Sequence, residues 1–112
     1  MGMLARALDG VYGRPASGLR VRLERIQDGD WLTIGTVESN VRGHIRHWED
    51  AHLERGVYRL VIDSDGYFSS LGATAAYPEI TVMFRLRSDH ESCDVQIILS
   101  PYSYSTYLLT ND

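Results

Sequence analysis

Hydrophobic and polar residues alternate along most of this chain, with the period of two that a half-buried strand requires. In Ile80 to Leu86, the residues Ile80, Val82, Phe84 and Leu86 share one face. Cys93 to Leu99 follows the same rule, and Leu19 to Ile26 reads Leu-Arg-Val-Arg-Leu-Glu-Arg-Ile. Met3 to Leu8, Trp31 to Val37, Val57 to Ile62 and Tyr102 to Leu109 are further strands, set apart by turn residues such as Asp9-Gly10, Gly13-Arg14-Pro15 and Asp28-Gly29-Asp30. The polar segment His44 to Gly56 interrupts the pattern, with a minor strand expected near His44 to His47. One stretch changes period. Asp63 or Ser64 is placed to cap a helix, Asp65 suits a first turn, and Tyr67, Phe68 and Leu71 recur at one-turn spacing before Gly72. The expected architecture is all-β, an antiparallel sandwich of seven or eight strands with one short helix.

Parity then assigns faces. Cys93, Val95, Ile97 and Leu99 form an apolar row that belongs in the core, which leaves Asp94, Gln96 and Ile98 outside. On the last strand Ser105, Tyr107 and Leu109 share one face, and on the first, Leu4, Arg6 and Leu8 point outward if Ala5 and Ala7 point inward. An outer face holding Leu8, Ile98, Tyr107 and Leu109 is too apolar for a solvent-facing surface and calls for a cover.

Composition narrows the function classes. The 112 residues, 44% of them hydrophobic, suit one domain spanning 1–112 that oligomerisation would help to stabilise. A net charge of -4 without a basic cluster argues against nucleic acid and anionic membranes as partners. No apolar stretch is long enough for a signal sequence or a membrane span, and Cys93 is the single cysteine, so a cytoplasmic, reduced setting is expected. Cys93 reads as a small buried thiol. His44, His47 and His52 with Glu49 and Asp50 offer ligand types for a metal, but their spacing matches no standard site and a solvated loop is the plainer reading. Asp63-Ser64-Asp65-Gly66 looks like a calcium loop, yet capping accounts for it. No metal or cofactor is expected, and Trp31 and Trp48 read as core or edge cover.

The tail from Leu99 to Asp112 carries a signature. Its stretch Ser100-Pro101-Tyr102-Ser103-Tyr104-Ser105-Thr106-Tyr107 closely resembles the C-terminal signature of the transthyretin family, which includes the 5-hydroxyisourate hydrolases of purine breakdown. Leu4 to Gly18 resembles the first strand and Asp-x-x-x-Gly-x-Pro-Ala loop of that family, and Gly66-Tyr67-Phe68 through Phe84, with Tyr77-Pro78, resembles its helix and following strand. The resemblance implies a two-sheet sandwich, dimers joined edge to edge, and two dimers packed face to face as a homotetramer around a central channel. It also implies that ligands bind, or hydrolysis occurs, in that channel.

The hydrolases use a histidine on the first strand, an arginine near the third, a histidine on the penultimate strand and a terminal Tyr-Arg-Gly-Ser. Such a set couples proton transfer by imidazole to a guanidinium that holds a polar substrate. Here Arg6 stands in the place of the first histidine and Asp94 in that of the second, while Leu108-Leu109-Thr110 follows Tyr107; three of the four elements are absent. His44, or Arg42 if the register slips, falls where the arginine is expected. The ending Thr106 to Asn111 resembles vertebrate transthyretin, whose last strand lines a pocket for a rigid hydrophobic ligand. Carried over position by position, the pocket wall would be Arg6, Leu8, Asp94, Gln96, Ile98, Ser105, Tyr107 and Leu109, with Arg6 and Asp94 forming an ion pair. Tyr12, in the loop that the family brings to the tetramer centre, is either a pocket aromatic or interface packing.

A pocket stripped of proton-transfer groups but walled with Leu, Ile and Tyr can bind without reacting, or can promote a reaction that needs no proton transfer. The chain also looks like the small transthyretin-like pericyclases of bacterial polyketide pathways, the streptoseomycin type, which act on polyene macrolactones. The expectation is a cofactor-independent cyclase whose partners are itself and a small hydrophobic molecule of polyketide type. Its alternatives are a non-catalytic binder of a small apolar ligand, a divergent 5-hydroxyisourate hydrolase, and a structural partner protein using the same patch.

Overall fold

The computed structural model describes residues 2–111, so Met1 and Asp112, the ends of the expected 1–112 domain, lie outside the described residues. Nine strands and one helix follow in the order β1 (Met3–Asp9), β2 (Arg14–Pro15), β3 (Arg20–Gln27), β4 (Asp30–Glu38), β5 (His44–Ile45), β6 (Gly56–Ile62), α1 (Ser64–Ser70), β7 (Ile80–Leu86), β8 (Ser92–Ser100) and β9 (Ser103–Asn111). The strands form two sheets. One has the order β2-β1-β8-β9 with β5 also paired to β1, and the other β4-β3-β6-β7.

Two details depart from the sequence expectation. β1 and β8 run parallel, whereas every other pair is antiparallel. Alternation fixes which face a residue takes but not the direction of its neighbour, and β1 reaches β8 only after most of the chain has intervened. Tyr102 belongs to the turn before β9 rather than to the strand.

The inward rows of both sheets meet in one cluster that includes Met3, Ala5, Ala7, Leu23, Tyr58, Leu60, Ile80, Val95, Ile97 and Leu99. Tyr67 and Phe68 of α1 are buried in the same cluster. Asp63 caps that helix by accepting from Gly66 N at 2.9 Å. Trp48 is a core residue. Cys93 is buried, and burial, with Glu91 and Asp94 nearby, pushes its thiol up to about 12, which suits packing rather than nucleophilic chemistry. No described helix is long and apolar enough to cross a membrane.

Alternation along β3, with Val21 and Leu23 inward, puts Glu24 on the outer side of the second sheet, in register with Arg59 of β6. There it accepts from Arg22 Nε at 2.8 Å and Arg59 Nε at 2.5 Å, and the Arg59 guanidinium lies 4.2 Å from the Trp31 ring centroid. Burial alone would raise this carboxyl, but the hydrogen bonds from Arg59 and Arg22 and their charges outweigh it and hold Glu24 below its ordinary range. A depressed folded-state value means the contribution to stability is present above the unfolded value near 4.5 and is lost as pH falls through the folded one. Glu24→Gln is therefore expected to cost about 1 kcal/mol at neutral pH. It should also flatten the fall in urea midpoint below pH 4.5, which parallel acid titrations of the two proteins would show.

Candidate functional site

The outer face of the first sheet is a grid set by its registers. Leu8 of β1 pairs with Pro15 of β2 and with Ile98 of β8, which pairs with Ser105 of β9. One step along, His44 of β5, Arg6, Gln96 and Tyr107 form a second row. Leu4, Asp94 and Leu109 form a third. A belt of hydrogen-bonding groups thus lies between a row of Pro15, Leu8 and Ile98 that ends in Ser105 and a row in which Asp94 stands between Leu4 and Leu109.

In a single chain this face is open, with Leu8 39%, Ile98 42%, Tyr107 52% and Leu109 56% exposed. Four large apolar side chains, each about half exposed on one continuous surface, are the mark of a surface that meets something else.

The ion pair expected from the sequence joins the second row to the third: Arg6 Nη2 donates to Asp94 Oδ2. That hydrogen bond, the Asp94 charge and Tyr107 raise Arg6 above its already high ordinary value, so it keeps its proton and cannot exchange one. Arg6 Nε and Asp94 Oδ1 are buried without a partner. The Tyr107 hydroxyl donates to Gln96 Oε1, which fixes the second row at its β9 end.

Two clefts flank the pair. One of about 250 Å³ is lined by Arg6, Leu8, Pro15, Arg42, His44, Gln96 and Ile98 among others. The other, of about 370 Å³, is lined by Leu4, Glu49, Asp94, Leu109 and Thr110 among others. A wider cleft of about 580 Å³ on the opposite sheet is walled mainly by charge, with Arg20, Arg22, Asp63 and Glu79, and lacks the apolar wall that holds most small ligands.

Of the residues expected to line a pocket, Arg6, Leu8, Gln96 and Ile98 meet in the first cleft, and Asp94 and Leu109 in the second. Ser105 and Tyr107 share the grid by register but border neither cleft. Tyr12 stands apart in the loop beyond β1, 57% exposed, with the Arg14 guanidinium 4.8 Å from its ring centroid. It contributes to neither cleft of the single chain.

His44 begins β5, within the stretch expected as a minor strand, and the turn that carries Arg42 and His44 is held in place by its backbone. Asn40 Oδ1 accepts from Arg42 N at 2.9 Å and His44 N at 3.0 Å, and Ala7 N donates to Gly43 O at 2.8 Å. Gly43 has φ 76 and sits so close to β1 that a Cβ would meet Ala7 O at 2.3 Å. This clamp sets the turn beside β1, and Arg42 and His44 line the first cleft together with Arg6. The signal in the sequence was Asn40 followed by Gly43, a turn pairing of side-chain acceptor and positive-φ residue. Among the described residues no group of three or more His, Cys, Asp or Glu is arranged to hold a metal ion.

Comparison with known proteins agrees with this geometry. The pattern of the HIUase/Transthyretin family matches residues 4–108. The chain is 35% identical over 101 residues to a 5-hydroxyisourate hydrolase of Salmonella typhimurium, covering 89% of this chain and 74% of that protein. It is 30% identical over 108 residues to the mouse 5-hydroxyisourate hydrolase, covering 94% and 92%. Among solved structures, transthyretin from Sparus aurata superposes with a TM-score of 0.90 at 26% identity, covering 98% of this chain and 97% of that one. Sea bream transthyretin in complex with thyroxine gives 0.90 at 27% identity, covering 97% and 95%. A match over nearly the whole chain, together with the sandwich described above, shows that this chain belongs to the HIUase/Transthyretin family.

Proposed function

We propose that the outer face of the first sheet, covered by further copies of the chain in a homotetramer, is a channel for a small hydrophobic molecule. In it the protein acts as a cofactor-independent cyclase on a polyene macrolactone in the cytoplasm. The observation that carries this reading is the Arg6–Asp94 pair on a grid that also presents Leu4, Leu8, Ile98 and Leu109. The pair occupies the two positions where a hydrolytic member would need imidazoles and ties one permanent charge to another. What remains is shape: Leu8, Ile98, Tyr107 and Leu109 confine an apolar chain, while Gln96, Ser105 and the half-exposed Arg6 offer hydrogen bonds to carbonyls. Holding the ends of a polyene together lowers the entropic part of a cycloaddition barrier without any proton transfer. The exposed edge of β9 supports pairing between copies, since it bonds only to β8 within the chain. Tyr12 would reach the channel from a neighbouring copy.

A second reading, hydrolysis of 5-hydroxyisourate, is favoured by the names of the relatives and by His44, an imidazole in the first cleft beside Arg42. One experiment separates the two. The protein is incubated in parallel with a linear polyene macrolactone and with 5-hydroxyisourate, followed by chromatography and by ultraviolet decay. Accelerated formation of a defined cycloadduct with no effect on isourate supports the cyclase. Binding of the polyene without turnover sinks it in favour of a carrier, and accelerated isourate decay establishes the hydrolase.

A further inference from the structure

We infer that the free edge of β4 is a docking site for an extended segment of a partner protein, one that alternates apolar and uncharged polar residues between basic ends. The segment pairs as an added strand and seats an apolar side chain in the cleft beside Ile34. The site belongs to the second sheet and is independent of the channel reading above.

β4 is bonded to β3 along one side, and no backbone group of Asp30–Glu38 bonds to any other described segment. Its second side is therefore a row of N–H and C=O groups without protein partners. Exposed edges of this kind are commonly blunted by lysine or proline. Here Trp31 to Val37 reads Trp-Leu-Thr-Ile-Gly-Thr-Val, with no charge and no proline. An uncharged edge rich in β-branched and aromatic residues is a template for another strand.

The same edge borders a cleft on the inner side of the sheet. The Trp48 ring lies against Gly35 and is itself buried, so the core is closed there. Beyond it Ile34 is exposed. So is Leu32, whose register with Arg25, opposite the buried Tyr58, sets it on the inner face. A cleft of about 380 Å³ opens here, with Ile34, Leu53 and Tyr58 as its apolar lining and Arg25, His52 and Glu54 among its polar one. In strand addition, main-chain bonds supply affinity and a pocket for an alternate side chain supplies specificity. Edge and pocket are both present, and Ile34 belongs to each.

Charge and register decide between a second copy and a different partner. Asp30 and Glu38 stand at the two ends of the strand, and Asp28 lies in the turn before it. Arg20 is in register with Glu38, yet none of the three acids joins an ion pair among the described residues. Two β4 strands in full antiparallel register would set Asp30 against Glu38 at each end, and like charges opposite one another are destabilising. The register with β3 also leaves Ile34 as an extra residue, so the two halves of β4 differ in parity and a second identical strand would not match faces along its length. A flexible segment escapes the second obstacle, and basic residues at its ends turn the first into attraction.

Fluorescein-labelled peptides test this on the full-length protein by fluorescence anisotropy, with amide hydrogen exchange to locate the site. The first is Lys-Thr-Val-Thr-Ile-Thr-Val-Thr-Lys, the second has Glu at both ends, and the third has Pro in place of the central Ile. The Lys-ended peptide is expected to bind about tenfold more tightly than the Glu-ended one at low salt, a gap that closes as ionic strength rises. The Pro peptide should bind several-fold more weakly than its Ile parent. Bound peptide should slow exchange about tenfold across Trp31 to Val37 and leave β8 as it was. Ile34→Lys should weaken the Lys-ended peptide about tenfold at an unchanged melting temperature, and Asp30→Asn with Glu38→Gln should bring the Lys-ended and Glu-ended peptides to equal affinity. Should Ile34→Lys not fold, the exchange pattern of the wild-type protein still decides. Equal affinity of the two peptides for the wild type, binding of neither, or protection that falls on β7 or β9 in place of β4 overturns the inference. Protection of β4 that grows with protein concentration in the absence of peptide assigns the edge to a second copy and overturns it as well. None of these outcomes bears on the polyene and isourate assays, which probe the other sheet.

Discussion

Replacing Asp9 by alanine is expected to lower the free energy of unfolding by about 3–5 kcal/mol, read as a fall in urea midpoint at unchanged slope. Asp9 is fully buried at the end of β1. One carboxylate oxygen accepts from Val11 N at 2.8 Å and Tyr12 N at 3.1 Å, and the other from the Tyr67 hydroxyl at 2.6 Å. Truncation leaves two loop amides and a buried phenol without partners at once, and each orphan costs about 1–3 kcal/mol. Burial, and then Asp9 itself, pushes Tyr67 up to about 12, so the phenol stays a donor across the neutral range. Asp9→Asn keeps an acceptor for the amides and should lose roughly half as much. If alanine and asparagine were both neutral, the carboxylate would not be what ties the Tyr12 loop to α1.

Leu109→Arg is expected to reduce binding of a neutral apolar fluorescent probe, N-phenyl-1-naphthylamine, and any turnover of a polyene, by about 100-fold while leaving the melting temperature of the chain nearly unchanged. Leu109 is 56% exposed, sits in register with Asp94 and lines the second cleft. Within one chain the new guanidinium reaches solvent, so the fold loses little. Under a covering copy it would be stripped of water, and it would compete with Arg6 for Asp94, unlocking the pair at the centre of the grid. Light scattering should register weakened assembly in the same variant. Wild-type binding and an unchanged assembly state would remove this face from the function.

Much of the fold was legible because strands carry their own record of burial. Cys93, Val95, Ile97 and Leu99 had to face a core, and the same count placed Asp94, Gln96 and Ile98 outside. The cap at Asp63 and the helix after it were legible for a similar reason, since capping and one-turn spacing are local. What is not local was not legible. The Asp9–Tyr67 hydrogen bond spans 58 positions, and nothing in the spacing of either residue announces it. The bond from Arg59 to Glu24 spans 35 positions and is equally silent in the spacing. Which of Arg42 and His44 lies beside Arg6 was left open by the sequence, because their place depends on Gly43 lying against β1.

By itself the sequence determined the family, the two-sided strands and the loss of the imidazoles from the positions now held by Arg6 and Asp94, because composition at a position and alternation along a strand are properties of the chain alone. Only the tertiary structure decided that β1 runs parallel to β8, and hence that Arg6 lies in register with Gln96 and reaches its expected partner Asp94 on the diagonal. It alone brought Arg42 and His44 to the same cleft. Strand direction and loop placement follow from how distant segments close over a shared core, and no local pattern encodes that closure.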